Sequence, residues 1–313
     1  MKELFEREKG GGIQSHQDLF IILDALPLPI SWATLPDGKI QFTNRAFKKI
    51  FGYADNQFTK VIDWVESTYI NESERQLAIN HWKKLWTPQS TGVSEVAPFE
   101  IQVKTAYGTV LSVQHRGIIL HDINIGIAIF EDITARKLAE SYLQRIAYED
   151  ALTGLANRHA LQMHWDAMHA GKVAEVPKRQ ALLLFDLDGF KQVNDRYGHD
   201  VGDGLLIIVA EELKRCCRQQ DFVCRLGGDE FLILLSDFSD TAEVEKICRD
   251  IEAAFTTPFI VGEHSLSLGA SIGISLYPEQ ASSLRELFKK ADQALYRLKR
   301  SRKGGWGWFA PPK

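Results

Sequence analysis

Two short acidic clusters are the residues of this sequence best suited to do chemistry. Asp186 and Asp188 follow the apolar run 181–185, and Asp229 and Glu230 follow a glycine pair between two further apolar runs. The first run predicts a strand buried on both faces, and the glycine pair predicts a tight hairpin. A strand end and a hairpin tip would bring the carboxylates to one point. Clustered carboxylates repel one another unless a cation lies among them, and hard oxygen ligands beside a phosphate suit Mg²⁺.

The surrounding residues resemble a known family. Six segments carry the resemblance, in order along the chain: 150–158, 185–191, 194–195, 198–203, 225–231 and 291–296. They are similar to the GGDEF family of diguanylate cyclases. The resemblance implies that the chain condenses two GTP molecules into cyclic di-GMP and releases pyrophosphate. It also implies a mixed central sheet covered by helices, related to the nucleotidyl cyclase and polymerase palm folds.

The resemblance implies a role for each acid. Asp186, the main-chain carbonyl of Leu187, Asp229 and Glu230 are expected to hold two Mg²⁺ ions per active site, with Mn²⁺ as an alternative. Asp229 and Glu230 are the expected catalytic residues, and Asp229 matches the position of a general base. The 3′-hydroxyl of one GTP would attack the α-phosphorus of the other. How Asp229 and Glu230 divide this work stays open.

Substrate recognition is expected on the segment that follows Asp188. The amides of Gly189 and Phe190 open a predicted helix, whose N-terminus favours anions, and Lys191 adds a positive charge. By resemblance, Asn194 and Asp203 read guanine. A carboxylate accepts from the N1–H and the exocyclic amine of guanine, whereas adenine offers no such pair of donors.

Two lysines near the C-terminus are expected to contact phosphate. Lys299 matches a family lysine late in the last helix. Lys303 stands where the family commonly has an arginine, so it keeps the charge but lacks the bidentate fork, and Arg302 is the alternative contact.

Arg218 and Asp221 form an RxxD motif shortly before the hairpin. The motif is similar to the inhibitory product site of the family, in which the arginine holds a phosphate and the aspartate a guanine of cyclic di-GMP. The alternative is an exposed helix end.

The length of 313 residues and the hydrophobic share of 45% predict two domains. We expect a flexible N-terminus at 1–17, a sensor domain at 18–133, a helical linker at 134–149 and the GGDEF domain at 150–313. In the sensor half, apolar runs at 29–35, 40–43, 99–104, 110–116 and 123–130 predict antiparallel strands, with a short helix capped by Asn44. Both halves are therefore predicted to be α+β.

The order of these N-terminal elements resembles a PAS sensor domain, a family that usually binds a small molecule or dimerises. The ligand is unknown. A flavin adduct on a thiol is excluded because this half contains no cysteine. His81, His115 and His121 are candidate haem ligands, and the alternative is that each is an ordinary packed or solvated histidine.

Apolar residues recur at helical spacing through the linker, which predicts an amphipathic helix that pairs with its copy in a second chain. A homodimer is also implied by the family's chemistry, because each domain holds one GTP. We expect the linker to carry a signal between the halves.

Composition excludes several classes of protein. A net charge of -4 gives no electrostatic case for nucleic acid binding. No segment is expected to be a signal peptide or to span a membrane, and the four cysteines lack metal-site spacing, so a cytoplasmic location is expected. Two other functions stay open: a catalytically silent receptor for GTP or cyclic di-GMP, and a cyclase of adenine or mixed nucleotides, which Asp203 disfavours.

Overall fold

The structure is a computed structural model that describes residues 16–85, 90–170 and 179–310. It forms two compact units that divide between Glu140 and Ser141. Most of the predicted flexible N-terminus, 1–17, lies outside the described residues. Each unit combines helices with a sheet, so the α+β prediction is confirmed for both.

The N-terminal unit is built on an antiparallel sheet with the strand order β2-β1-β5-β4-β3. Its elements are α1 (His16–Ala25), β1 (Ile30–Thr34), β2 (Ile40–Thr43), α2 (Arg45–Phe51), α3 (Val61–Thr68), α4 (Glu72–Leu85), β3 (Val93–Lys104), β4 (Val110–Leu120), a 3-10 turn (His121–Ile123) and β5 (Ile125–Asp132). The five predicted strands are present. β3 and β4 extend beyond the predicted bounds because they pair with each other almost to their ends.

Asn44 caps helix α2, as predicted, and also fixes the start of the sheet. Its Oδ1 accepts from the backbone N–H of Phe47 at 2.9 Å and from that of Ile30 at 3.0 Å. Its Nδ2 donates to the carbonyl of Leu28 at 2.8 Å. The side chain is fully buried, so one amide satisfies backbone groups that otherwise lack partners.

Helix α5 (Thr134–Tyr148) begins in the first unit and ends in the second. It coincides with most of the predicted linker. None of its residues is buried. Leu138, Tyr142, Leu143 and Ile146 are all exposed, with Tyr142 at 65%.

The C-terminal unit contains a five-stranded sheet with the order β12-β11-β6-β8-β7. Its elements are α6 (Arg158–His169), β6 (Gln180–Asp188), α7 (Phe190–Tyr197), α8 (His199–Cys216), β7 (Phe222–Gly227), β8 (Glu230–Ser236), α9 (Thr241–Ala254), the small hairpin β9 (Phe259–Val261) and β10 (His264–Leu266), β11 (Gly269–Tyr277), α10 (Leu284–Ser301) and β12 (Gly305–Trp308). β11 and β12 are parallel and the other pairs are antiparallel, so the sheet is mixed, as predicted.

Strand β6 is buried on both faces because helices cover each side of the sheet. Leu183 and Phe185 pack into a core with helices α8 and α9. Leu182 and Leu184 pack into a second core with helices α6 and α10. The continuous apolar run of β6 follows from this sandwich, since neither face meets water.

Strand β12 was not predicted from the sequence. Its sequence, Gly-Trp-Gly-Trp, is short and half glycine, and glycine weakens a strand. It pairs with β11, Trp306 and Trp308 pack against the core, and Nε1 of Trp308 donates to Glu245 at 3.4 Å. Helix α8 begins at His199, directly after α7, because Gly198 adopts a φ of +88° and ends α7 there.

Within the described ranges, no helix combines the length and the apolar character that a membrane crossing requires.

Candidate active site

The carboxylates of the two acidic clusters meet at one end of the C-terminal sheet. Asp186 and Glu230 are direct partners across the antiparallel pair of β6 and β8. Partners in such a pair point to the same face of the sheet, so both side chains lie on the side of helix α10. Asp229 occupies the turn between β7 and β8. The convergence predicted from the sequence is present.

The turn that carries Asp229 depends on its two glycines. Gly227 pairs with Glu230, which leaves Gly228 and Asp229 as the two turn residues. Gly227 has a φ of +137° and Gly228 a φ of +56°. A side chain at either position would strain the backbone, so the glycine pair fixes the direction of the turn.

The side chain of Arg225 stabilises this turn by hydrogen bonds. Its Nε and Nη2 donate to the carbonyl oxygen of Gly228 at 3.0 and 2.7 Å. Its Nη1 donates to Oδ1 of Asp150 at 2.8 Å. Arg225 is only 9% exposed, so the ion pair is poorly screened. The hairpin tip is therefore tied to the segment that follows helix α5.

Asp150 is itself held in place. Its Oδ1 accepts from the backbone N–H and the hydroxyl of Thr153, at 2.9 and 2.8 Å. Partial burial acts to raise the pKa of Asp150, but the hydrogen bonds from Arg225 and Thr153 outweigh it and lower the pKa overall. The carboxylate stays ionised at neutral pH and balances the charge of Arg225.

The pKa values of the two catalytic candidates, Asp229 and Glu230, are raised instead of lowered. Partial burial and the nearby charge of Asp186 raise the pKa of Asp229. Partial burial of the carboxyl, followed by the charges of Asp186 and Asp229, raises the pKa of Glu230, although the residue as a whole is exposed. Like charges thus crowd together here, and a divalent cation would relieve the repulsion.

A positive charge already lies beside the cluster. The ammonium group of Lys299 forms an ion pair with Oδ1 of Asp186, and both side chains are partly buried. Helix α10 supplies this lysine from directly above the strand end, because its apolar face packs on the sheet. Lys299 was expected to contact phosphate, and its position at Asp186 places it at the edge of the acidic cluster.

The donor set fits a magnesium ion that shares its coordination with a substrate. Within the described parts of the chain, no three histidine, cysteine, aspartate or glutamate side chains form a metal-binding group by themselves. Mg²⁺ is usually held by one or two carboxylates together with phosphate oxygens and water, rather than by a complete protein cage. Two facing carboxylates at a strand end suit that role.

The predicted phosphate-binding segment follows strand β6 without a gap. Gly189 caps helix α7 with a φ of +89°, which turns the chain sharply after Asp188. Phe190 begins the helix and is buried, whereas Lys191 is exposed. The amides of Gly189 and Phe190 therefore lie at the start of a helix next to the acidic cluster.

Asn194 is positioned by a glycine of the next helix. A Cβ atom on Gly202 would lie 1.8 Å from Oδ1 of Asn194, so the amide rests directly on the backbone of α8. That oxygen is buried, and it has no hydrogen-bond partner among the residues that the structure describes. Asp203 is the next residue along α8 and is exposed. The two predicted guanine-reading residues thus belong to the adjacent helices α7 and α8.

Two basic residues, Arg302 and Lys303, follow helix α10. Lys303 is exposed in the short segment before β12. The guanidinium of Arg302 lies over Gly305, where it approaches the position of a Cβ on that glycine to 3.0 Å, with Glu252 nearby.

The RxxD motif forms a compact local structure. The backbone N–H of Arg218 donates to Oδ2 of Asp221 at 2.8 Å, and its Nε lies 3.3 Å from the same oxygen. Nη1 of Arg218 donates to Glu243 at 3.1 Å. Nη2 of Arg218 and Oδ1 of Asp221 are buried without partners. Within the described residues, this motif therefore has one donor and one acceptor without a hydrogen-bond partner.

The three histidines that were candidate haem ligands are packed. Nδ1 of His115 is hydrogen-bonded to the hydroxyl of Tyr69 at 3.1 Å, and Nε2 of His121 to the hydroxyl of Ser94 at 2.8 Å. The ring of His81 contacts that of Phe99. These contacts favour the packed alternative over a haem ligand.

A comparison with protein-family models matches residues 147–304 to the family described as diguanylate cyclase, GGDEF domain. The chain belongs to the GGDEF family. The match covers half of the chain and includes both acidic clusters, the RxxD motif and Lys299. It leaves the N-terminal unit outside.

Relatives of the GGDEF domain have related names. MucR of Pseudomonas aeruginosa, named a bifunctional diguanylate cyclase and cyclic di-GMP phosphodiesterase, is 37% identical over 176 residues, which is 56% of this chain and 25% of MucR. The diguanylate cyclase TpbB of the same species is 36% identical over 159 residues, covering 50% of this chain and 36% of TpbB. The matched region thus spans a quarter to about a third of these relatives.

A solved structure has the same fold. The coiled coil and GGDEF domain of DgcB from Caulobacter crescentus, solved in complex with c-di-GMP, aligns with a TM-score of 0.50 at 25% identity. The alignment covers 56% of this chain and 93% of the DgcB chain.

Sequence reasoning missed the role of Arg225 and of Asp150. Both residues lie within segments that carry the family resemblance, 150–158 and 225–231. Nothing in the sequence indicates that these two residues form an ion pair. They are separated by 75 positions in the chain, and only the fold brings them together.

We expect Asp229→Asn to stabilise the C-terminal unit at neutral pH. Because the pKa of Asp229 is raised on folding, the folded state releases its proton later than the unfolded chain, and ionisation costs stability as the pH rises through this window. The free energy of unfolding should rise by about 0.5 kcal/mol near pH 7 and by less near pH 4, after allowance for solvent screening.

Urea unfolding at both pH values measures this difference. Asp250→Asn, on the exposed side of helix α9, is the control and should change neither value. A loss of stability in Asp229→Asn at neutral pH would contradict the repulsion.

Proposed function

We propose that this chain is a diguanylate cyclase, which condenses two GTP molecules into cyclic di-GMP with release of pyrophosphate. One observation carries the proposal: Asp186 and Glu230 face each other across β6 and β8, with Asp229 in the adjoining turn. The names of the relatives MucR and TpbB support it. The alternative is a GGDEF receptor that binds GTP or cyclic di-GMP without turnover.

Asp186, the carbonyl of Leu187, Asp229 and Glu230 would hold Mg²⁺ or Mn²⁺, two ions per site. Bound there, the metal would neutralise charge on the phosphates and lower the pKa of a coordinated hydroxyl. Asp229 and Glu230 have raised pKa values in the protein itself, which makes them better proton acceptors than ordinary carboxylates. We assign proton removal from the attacking 3′-hydroxyl to this pair.

The triphosphate would lie against the start of helix α7. The amides of Gly189 and Phe190 can donate to phosphate oxygens there, and the side chain of Lys191 is exposed and able to approach. Lys299 sits at Asp186 and can move to a phosphate when a cation takes its place. Lys303 is exposed and is the further candidate, and Arg302, which is also exposed, is the alternative.

The product identifies the reaction directly. Incubation with GTP and Mg²⁺ should give cyclic di-GMP by mass spectrometry, and Asp229→Asn should lower the rate at least a hundredfold, because it removes a ligand and a proton acceptor.

Asp250→Asn should retain the wild-type rate. GTP binding by the wild-type protein without any product would instead support the receptor alternative, and a product from ATP alone would contradict the assignment of Asp203.

Guanine recognition gives a second test. Gly202→Ala places a methyl group where Oδ1 of Asn194 now lies, so the amide must swing away from its present position. We expect the KM for GTP to rise about tenfold, which corresponds to the loss of one hydrogen bond to the base, while kcat changes little.

Gly204→Ala is the matched control. It lies in the same helix α8, and its new Cβ would come within 2.8 Å of a methyl group of Val261, so this variant also forces a local shift, but at Val261 and not at Asn194. An equal rise of KM in both variants would show that the effect comes from the helix and not from Asn194.

The RxxD motif is proposed as a site for product inhibition. The buried and unpartnered Nη2 of Arg218 and Oδ1 of Asp221 are a donor and an acceptor of the kinds that a phosphate and a guanine require. Glu243, which pairs with Arg218 here, would be displaced by a phosphate.

Arg218→Ala should therefore relieve inhibition by cyclic di-GMP, with an increase of at least tenfold in the concentration that halves the rate. Progress curves with added product measure it. Arg215→Ala, in the last turn of helix α8, is the control. Inhibition that persists unchanged in Arg218→Ala would reject this site.

We further propose that the active form is a homodimer that pairs through helix α5. Tyr142, Leu143 and Ile146 present an apolar side to solvent, and the relative DgcB was solved with its coiled coil. Two GTP-bearing domains must face each other for a product made from two GTP molecules. The helix would pass a signal between the units by changing how two chains meet.

Activity per chain should then rise with protein concentration in the dilute range. Ile146→Glu puts a charge on the apolar side and should shift this rise to concentrations about tenfold higher, whereas Gln144→Glu, at another exposed position of α5, should not. A rate strictly proportional to concentration would contradict obligate dimerisation.

The N-terminal unit is proposed to be a PAS-like sensor. Its antiparallel sheet with flanking helices and the capping Asn44 are consistent with the resemblance seen in the sequence.

A further inference from the structure

One buried hydroxyl lies between the acidic strand end and the basic segment that follows helix α10. Ser271 belongs to strand β11 and is 0% exposed. Strand β11 lies between β6 and β12 in the sheet, and Ser271 is the register partner of Asp186 on one side and of Gly305 on the other. A polar side chain at this position can therefore connect the acids to the basic segment.

The hydroxyl of Ser271 both donates and accepts. Its Oγ accepts from the backbone N–H of Gly304 at 3.1 Å and donates to Oδ2 of Asp188 at 2.8 Å. Because an amide N–H can only donate, the hydroxyl must accept from Gly304, and its own proton points to Asp188. A hydrogen bond to a carboxylate is stronger than one between neutral groups. The two bonds together fix the orientation of the hydroxyl.

A second serine on β11 has a different partner. Ser275 is also 0% exposed, and it points to the same face of the sheet as Ser271 because four positions separate them. Its Oγ donates to the carbonyl oxygen of Leu287 in helix α10 at 2.7 Å. Ser275 therefore joins the strand to the helix, whereas Ser271 joins the strand to the acidic end of β6 and to the residues after the helix.

The hydrogen bond from Gly304 holds the backbone of Lys303. Gly304 and Gly305 have φ values of +82° and +87°, and two such glycines in a row give the segment little rigidity of its own. The nitrogen of Gly304 shares a planar peptide unit with the carbonyl of Lys303, so Ser271 anchors that unit. Lys303 is exposed, and its flexible stem lets the ammonium group reach an anion near the anchored backbone.

Asp188 belongs to the first acidic cluster but is not among the expected metal ligands. Its Oδ2 accepts from Ser271, and a Cβ on its register partner Gly269 would lie 3.5 Å from the same oxygen. Both contacts are made with strand β11. Asp186 and Glu230 instead face each other across β6 and β8, on the other side of β6. The two acids of the strand end thus have different surroundings.

We propose that Ser271 and Asp188 are positioning residues for substrate binding, which act through Gly304 to hold Lys303 beside the triphosphate of GTP. The proposal rests on the proposed function and deepens it, because it gives Asp188 a role and explains how Lys303 is kept near the acids.

Affinity for an unreactive GTP analogue tests the proposal without turnover. In guanosine 5′-(α,β-methylene)triphosphate a carbon atom bridges the α- and β-phosphorus, so pyrophosphate cannot leave. By equilibrium dialysis with Mg²⁺, Ser271→Ala should raise the Kd of the full chain for this analogue about tenfold, which corresponds to the loss of one hydrogen bond to a charged group. The kcat for GTP should fall by less than about twofold, because the metal-binding acids are unchanged.

Ser275→Ala is the matched control. It removes an equally buried and hydrogen-bonded hydroxyl from the same face of the same strand. Urea unfolding should show a similar loss of stability in both variants, by about 1 kcal/mol, while the Kd of Ser275→Ala stays at the wild-type value. An equal rise of Kd in both variants, or an unchanged Kd in Ser271→Ala, would overturn the proposal.

A double-mutant cycle tests whether Ser271 acts through Lys303. Lys303→Ala should raise the Kd about tenfold in the wild-type chain but less than about twofold in the Ser271→Ala chain, because the two residues serve one interaction. Equal effects of Lys303→Ala in both chains would contradict the assigned route, as would this coupling at Arg302 in place of Lys303.

Two variants of Asp188 separate hydrogen bonding from metal binding. Asp188→Asn keeps an acceptor for the hydroxyl of Ser271, whereas Asp188→Ala removes it. The Kd should rise about tenfold in Asp188→Ala and by less than about threefold in Asp188→Asn. A fall of kcat by about a hundredfold or more in Asp188→Asn would make Asp188 a metal ligand and overturn its positioning role.

Failure of this proposal is distinguishable from failure of the proposed cyclase activity. If GTP gives no cyclic di-GMP but the Kd values follow the expected pattern, the cyclase is rejected and the positioning roles stand. If cyclic di-GMP is made but Ser271→Ala and Ser275→Ala bind the analogue alike, the cyclase stands and the positioning roles are rejected. No binding of the analogue by the wild-type chain would also reject them.

Discussion

The arrangement of the candidate site depends on one buried guanidinium. Arg225 lies beneath the hairpin and donates to the carbonyl of Gly228 and to the carboxylate of Asp150. A tight glycine turn on its own has many accessible conformations, and it gains rigidity only from contacts outside itself. With Arg225 in place, the turn holds Asp229 beside the end of β6. The same side chain ties the hairpin to the residues that follow helix α5, so a change in that segment has a direct route to the acids.

The site itself stores electrostatic repulsion. Asp186 and Glu230 face each other, Asp229 adjoins them, and the pKa values of Asp229 and Glu230 are raised. The remainder of the domain supports this unfavourable cluster through a sheet that is packed by helices on both faces. Lys299 provides partial compensation at Asp186. Such a site favours the binding of cations together with phosphates, because a bound cation relieves the repulsion among the carboxylates that is present in the folded protein.

The two units use polar groups in different ways. In the C-terminal unit, carboxylates gather at an open edge where water, metal and substrate can reach them. In the N-terminal unit, the buried polar side chains of the described residues are serine, threonine, asparagine and histidine, and two of them, Ser31 and His115, line a cavity within the unit. Asn44 is the clearest example, because its buried side chain bonds to the backbone groups of Leu28, Ile30 and Phe47.

The sequence by itself determined the order of elements, the acidic strand end and hairpin, and the family. These features are local: the run 181–185 has the length and the apolar character typical of a strand buried on both faces, and Gly227 and Gly228 permit a turn that other residues resist. It also predicted the exposed apolar side of helix α5, which follows from helical periodicity alone. Strand β12 was not predicted, because its Gly-Trp-Gly-Trp sequence is stabilised as a strand by pairing with β11 and by the packing of its two tryptophans on the core.

Tertiary structure decided the contacts between distant positions. Arg225 meets Asp150 across 75 residues, Lys299 meets Asp186, and Asn194 rests on Gly202 because two helices cross there. The cavity of the N-terminal unit is likewise enclosed by elements from β1 to β5. Such contacts depend on distances in space that no residue spacing encodes, whereas turns and strands follow from the preferences of neighbouring residues.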